Sequence, residues 1–282
     1  MKSGVLIMYE VVKVFNNNVC MTKDDKGIEC ILVGKGIGFG KKTGDIIQKD
    51  KFEKIFYVKD RVNKIKFSEL MEKIRKDVIG IAEEIIAMAE KIKGKKLNEH
   101  IHIALADHIA FAIERINMGI EIKNPFNIEI KALYKDDYNI ALKALELINQ
   151  RLNILLPEDE AGFIALHLHA ALENAGLSNT LKNARMVSQL VLTIENHLGK
   201  HIDRDSIDYL RLVTHLRFAI DRLEKNAPVV NELLLPIKKK FKRSYKIAMD
   251  VSKVIENTLE KEVPEEEIGY IAIHIQRLIN TI

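Results

Sequence analysis

A chain of 282 residues, 47% hydrophobic and 30% charged, has room for two or three compact domains, each with its own core. Its formal net charge of +4 permits a polyanionic partner without requiring one, and no apolar run reaches the ~18 residues that span a bilayer. Cys20 and Cys30 are the two cysteines, too few for a metal quartet or a disulfide framework, and they read as reduced thiols in a cytoplasmic protein.

The opening, MKSGVLIMYEVV, carries an apolar stretch soon broken by Glu10, which does not read as a secretion signal. Short β-branched runs follow: YEVVKVF, NVCMTK and ECILVG, with DDKG at 24–27 as the turn between the last two. This pattern predicts a small antiparallel β domain over 1–62. Its core is thin, and pairing with a second copy is one way to stabilise it.

Residues 34–45, GKGIGFGKKTGD, hold five glycines and three lysines. A phosphate-binding P-loop needs two glycines with four residues between them, then Lys and Ser or Thr. The position five before Gly40 is Lys35, and Lys41-Lys42 follows it, so that reading fails. The dinucleotide fingerprint fails as well, because no helix pattern follows. Two readings stay open: a glycine-rich β connection, and a basic surface with an exposed Phe39 suited to phosphates and base stacking.

From residue 68 the period becomes helical. SELMEKIRKDVIGIAEEIIAMAEKI (68–92) spaces its apolar residues three and four apart, which predicts one amphipathic helix. Asn98 is placed to cap the helix of NEHIHIALADHIAFAIERI, which stops at Gly119. Pro157 and Pro264 stand where a first turn tolerates proline, each followed by carboxylates that suit the positive end of the helix dipole.

Shifted by 107 residues, the sequence overlays on itself without a gap. PEDEAGFIALHLHA (157–170) falls on PEEEIGYIAIHIQR (264–277), and DHIAFAIER (107–115) on THLRFAIDR (214–222). Two stretches matching at one offset mark a duplicated domain of about 105 residues. Each copy reads as a bundle of about five helices, over 66–173 and 179–282, with NAGLSNT (174–180) as the linker. The expected fold is multidomain: a small antiparallel all-β domain and two duplicated all-α bundles.

The duplication repeats four of the nine histidines: His108, His167, His215 and His274. A histidine on an apolar helical face is ordinarily a satisfied core residue. Metal binding lacks an HExxH motif, and the pairs 100/102 and 167/169 point to different helix faces, so no metal site is expected. The third reading is phosphoryl acceptance on an imidazole nitrogen, which needs nearby positive charge. Arg115 and Arg222 lie seven residues after His108 and His215, two turns along the same face, and Arg277 is one turn past His274.

Taken together, VFNNNV (14–19), GKGIGFGKKTGD, ALADHIAFAIER, GFIALHLHA, LRLVTHLRFAIDR and YIAIHI closely resemble the BglG/SacY/LicT family of transcriptional antiterminators. The match runs over essentially the whole chain in the family's domain order. GKGIGFGKK, LNEHIHIALADHIAFAI and KNPF are most similar to the branch that regulates glucose-uptake genes. The resemblance implies a dimeric RNA-binding domain that grips a partly paired hairpin in a nascent leader transcript and prevents an overlapping terminator.

It also implies that the helical repeats are regulation domains phosphorylated on histidine by the sugar phosphotransferase system, through a permease EIIB domain and the carrier HPr. By position, Lys13, Asn18, Gly34, Lys35 and Phe39 match the family's RNA-contacting positions. Lys35 stands where some members have arginine, which weakens bidentate recognition there. His108, His167, His215 and His274 match the regulatory histidines. His100, His102, His169, His197 and His201 match none and are expected to be structural.

The resemblance implies neither catalysis nor a cofactor. Two rivals belong to other classes: a phosphocarrier enzyme relaying phosphate through its histidines, and a DNA-binding activator. The second would need a helix-turn-helix where the sequence reads as strand.

Overall fold

The computed structural model describes residues 8–57, 59–227 and 229–281; the opening stretch through Ile7 lies outside them. Strands β1 (Met8–Asn16), β2 (Val19–Lys23) and β3 (Glu29–Val33) form an antiparallel meander. Asp24 makes the tight turn before β3, its Oδ1 accepting from the backbone N–H of Lys26 and of Ile28, with Gly27 at φ 73°. Two strands that hydrophobic alternation does not signal, β4 (Ile46–Gln48) and β5 (Lys54–Phe56), complete the order β4-β1-β2-β3-β5. Three residues each are too few to show a period of two. Tyr9, Val11, Cys20, Cys30, Leu32, Ile37 and Ile47 form the sheet's core, and burial pushes both thiols up to about 11.

The predicted helix over 68–92 is two helices. Helix α1 (Arg61–Lys73) is capped by Asp60, whose side chain accepts from Asn63 N–H, and α2 (Lys76–Lys93) starts afresh after an extended Ile74-Arg75. Arg75 pairs with Asp77, whose carboxylate also accepts from Val78 N–H and so serves the open first turn of α2. The break separates two different demands. Helix α1 buries only Phe67 and Leu70, whereas α2 is buried nearly all round, which the periodicity of the combined stretch conceals.

Next come α3 (Ile101–Asn117), α4 (Asn127–Leu133), α5 (Lys135–Leu152) and α6 (Asp159–Leu172). The N-cap of α3 is His100 rather than Asn98, which lies two residues earlier and accepts from His100 N–H at 3.0 Å in the turn leading into the helix; Gly119 follows the helix at φ 70°. The second repeat holds α7 (Leu177–Leu198), α8 (Ile207–Glu224), α9 (Leu234–Lys240), α10 (Lys242–Leu259) and α11 (Glu265–Thr281). Between α6 and α7 only residues 173–176 are non-helical, a shorter connection than 174–180, because LSNT already belongs to α7.

The 107-residue offset carries α3 to α6 onto α8 to α11 to within two residues, and α2 onto α7, which begins six residues earlier. Yet the chain divides into compact units that do not follow the repeat. One comprises residues up to 124 and 136–176, the other 125–135 and 177–282. The first unit thus contains the sheet with α1, α2, α3, α5 and α6. The second contains α4 together with α7 to α11.

Within the second unit, Arg217 on α8 donates to Leu133 O at the end of α4 at 2.9 Å. Helix α9, the duplicate of α4, instead packs on α10 and α11. Leu133 is buried on α4, whereas Lys240 stands at the matching place on α9 and is exposed.

Candidate functional site

Two groups of side chains carry chemistry. The first lies in the loops of the sheet. Residues 34–40 turn tightly back over the end of β1: Gly34 N–H donates to Asn18 O, Gly38 N–H to Asn17 O, and Gly36 N–H to Asn18 Oδ1, each at 2.9 Å. A Cβ on Gly38 would meet Asn16 O at 2.3 Å, and one on Gly34 would meet Phe52 Cα at 2.8 Å, so both glycines are needed for close approach. The fold brings Asn18, Gly34, Lys35 and Phe39 to this loop cluster. Lys35 is exposed and Phe39 is 76% exposed.

Asn18 and Lys13 are engaged. Asn18 Nδ2 donates to Glu84 Oε2 on α2 at 2.9 Å, Asn16 Nδ2 to Glu84 Oε1 at 2.8 Å, and Lys13 Nζ to Met71 O on α1 at 3.1 Å.

The second group is the histidines. In the first repeat, α3 presents His108 and Arg115 two turns apart, and α6 presents Glu160 and His167 at the same spacing. The rings of His108 and His167 lie 4.8 Å apart. Glu160, 1% exposed, bridges its neighbours: His108 Nε2 is 2.8 Å from Oε2, and Arg115 donates to Oε1 at 2.7 Å. Arg115 also lies 5.0 Å from the ring centroid of Phe111. Burial, reinforced by His108, pushes the His167 pKa down to about 3, so that imidazole is neutral near pH 7.

In the second repeat, α8 presents His215 and Arg222, and α11 presents Glu267 and His274. Here the rings stack face to face, 3.7 Å apart at 19°. Glu267, 1% exposed, takes Arg222 with both oxygens, the Nη2 contact being 2.8 Å. The pair opens into a cleft of about 540 Å³ lined by Phe218, Val230 and Tyr270 beside Arg222. Burial, with help from His215, Arg277 and Arg211, lowers the His274 pKa to about 4, and burial beside Arg222 also lowers that of His215. Arg277 is exposed and pairs with Asp208 at 3.4 Å.

The sequence reading misses Glu160 and Glu267, treating them as dipole-compensating first-turn acids. The signal is present, because they too are related by the 107-residue offset. Of the remaining histidines, His102 is buried with Nδ1 2.8 Å from Glu83. Burial opposes its charge, but Glu83 outweighs that and raises the pKa. His169 Nδ1 is 2.8 Å from Asp137, which also pairs with Lys93 at 2.6 Å. Among the described residues no group of three or more His, Cys, Asp or Glu could hold a metal ion, and no helix is long and apolar enough to cross a membrane.

Comparison with known proteins assigns the domains. Residues 9–64 match the CAT RNA binding domain, and residues 83–171 and 188–278 each match the PRD domain. The chain belongs to the BglG/SacY/LicT family of transcriptional antiterminators. It is 40% identical to the PtsGHI operon antiterminator of Bacillus subtilis over 276 residues, 97% of this chain and 98% of the relative. It is 35% identical to the transcription antiterminator LicT of the same species over 96% of this chain and 99% of that one. It is also 35% identical to the GlcA/glcB genes antiterminator of Staphylococcus carnosus, over 95% and 94%.

A crystal structure of GlcT CAT-PRDI is 44% identical and covers 58% of this chain and 98% of its own, with a TM-score of 0.50. The sheet is therefore a CAT domain, and each histidine pair sits in a PRD.

Proposed function

We propose that this chain is a sugar-responsive, non-enzymatic antiterminator. Its CAT domain grips a hairpin of a nascent leader RNA as a homodimer and so prevents a terminator from forming. Lys13, Asn18, Gly34, Lys35 and Phe39 are the RNA-contacting set. Exposed Phe39 offers a stacking face and Lys35 a phosphate contact. The target is glucose-uptake genes. That choice draws support from the motifs shared with the glucose branch and from relatives named for the PtsGHI operon and the GlcA/glcB genes.

Phosphotransferase proteins, HPr and a permease EIIB domain, phosphorylate His108, His167, His215 and His274. The observation that carries this reading is that both repeats bring the same two histidines into ring contact beside an arginine held by a buried carboxylate. A neutral imidazole is the nucleophilic form, and the depressed pKa values of His167 and His274 keep it available. Phosphorylation adds nearly two negative charges, which compete with Glu160 or Glu267 for Arg115 or Arg222. That exchange gives the modification a means of rearranging each PRD.

The test uses the full chain with an imperfect RNA hairpin and a matched DNA duplex at fixed salt, since phosphate contacts are salt-dependent. RNA-selective binding that Lys35→Ala and Phe39→Ala weaken is expected. Equal affinity for both nucleic acids overturns the reading. Labelled phosphate transferred from phospho-HPr should stay on the chain; prompt onward transfer would instead make it a phosphocarrier.

A further inference from the structure

Two of the five proposed RNA contacts are occupied by the chain's own helices, and the most specific occupant is Glu84. Its carboxylate, only 13% exposed, accepts from the side-chain amides of both Asn16 and Asn18. A carboxylate receiving two N–H donors presents the same chemistry as a phosphate oxygen pair.

The seat is closely fitted. A Cβ on Gly80, one turn before Glu84, would lie 2.4 Å from Asn16 Nδ2, so any side chain at position 80 would push the Asn16 amide out of its seat on Glu84. On either side, Lys54 pairs with Glu90 at 3.1 Å and Lys13 holds Met71 O at 3.1 Å. Between α2 and the loops remains an open cleft of about 630 Å³ lined by Asn18, Gly34, Lys35 and Glu84.

We propose that Glu84 is an internal competitor for the RNA site: an autoinhibitory latch that holds Asn18 until RNA or a rearrangement of the first PRD displaces it. The inference rests on the RNA-contact assignment above. Each Asn18 amide hydrogen is donated once, so an N–H on Glu84 is not on RNA. A negative charge at this place also repels an approaching phosphate. Arg151 on α5 already pairs with Glu84 Oε2 at 3.6 Å, so the carboxylate is shared between the RNA-contacting loop and α5 and keeps a charged partner when the asparagines let go.

The test is equilibrium binding of a fluorescein-labelled, imperfectly paired RNA hairpin to the full unphosphorylated chain. Glu84→Ala should bind about tenfold more tightly than wild type, because a charge-assisted hydrogen bond no longer has to be broken. Glu84→Gln keeps the volume and one acceptor and should fall between, deciding the matter if the alanine variant folds poorly. Glu146→Gln, which removes the same charge from the exposed face of α5, should leave the affinity unchanged.

Unchanged affinity in both Glu84 variants, while wild type binds RNA selectively, overturns the latch and leaves the RNA reading intact. An equal gain in Glu146→Gln reduces the effect to net charge and also overturns it. If no variant prefers RNA to duplex DNA, the RNA reading fails and the latch with it.

Discussion

The two PRDs carry the same pair of histidines, the same arginine and the same carboxylate at one offset, yet their histidine sites differ. In the first, Glu160 divides its oxygens between His108 and Arg115, and the rings sit 4.8 Å apart. In the second, Glu267 gives both oxygens to Arg222, so His215 is left to stack at 3.7 Å on His274 beside an open cleft. One carboxylate's choice of partner thus ties the histidine to the arginine in the first repeat and leaves it untied in the second.

The largest test of this difference removes the carboxylate. Glu160→Ala leaves Arg115 and His108 partly buried without their shared partner, and should cost about 3 kcal/mol. Glu267→Ala exposes Arg222 to water more readily and should cost about 2 kcal/mol, given that its side chain is 35% exposed. Paired denaturant titrations measure both. Equal losses would mean that the extra bond to His108 contributes nothing.

Phosphorylation sharpens the contrast next. A chain with His108→Ala and His167→Ala should take up label from phospho-HPr faster than one with His215→Ala and His274→Ala, because the second pair already faces the cleft. The reverse order would show that the carboxylate bridge at His108 activates rather than occludes.

A smaller effect comes from pH. His167 and His274 have pKa values near 3 and 4 in the folded chain, below the ~6.5 of an unfolded histidine. The unfolded state therefore binds more protons, and stability is full above pH ~6.5 and declines as pH falls through the window towards 4. The melting temperature should follow this course. His167→Gln and His274→Gln should each flatten it, the first more because that ring is the more depressed.

The smallest effect is Arg277→Gln. It removes one of the cations that lower the His274 pKa and should raise that pKa slightly in an NMR titration. The first repeat has Ala170 at the matching place, and its histidines should show no comparable dependence on a surface cation.

Much of this architecture is legible in the sequence for simple reasons. The 107-residue identity places the helices of one repeat onto the other, because duplicated apolar spacing must bury the same stripe twice. The glycines of 34–40 mark a tight loop, and Phe39 reads as exposed because it stands among glycines and lysines with no apolar run around it. Strands β4 and β5 are illegible, since three residues paired at a sheet edge are specified by their partners and not by their own pattern. The break at Ile74-Arg75 is hidden because apolar residues continue at three- and four-residue spacing across it.

The sequence alone therefore determined the order of domains, the duplication, and which histidines and arginines come as sets. Periodicity and repetition are local or self-referential and can be read from one chain. Tertiary structure decided the rest: that Glu160 and Glu267 are the anchors of the two sites, that α4 packs with the second repeat's helices while α9 packs within its own bundle, and that Glu84 sits on Asn18. Each depends on residues tens of positions apart meeting at hydrogen-bond distance. Such a meeting depends on how packed helices and loops present their side chains, and no spacing along the chain encodes it.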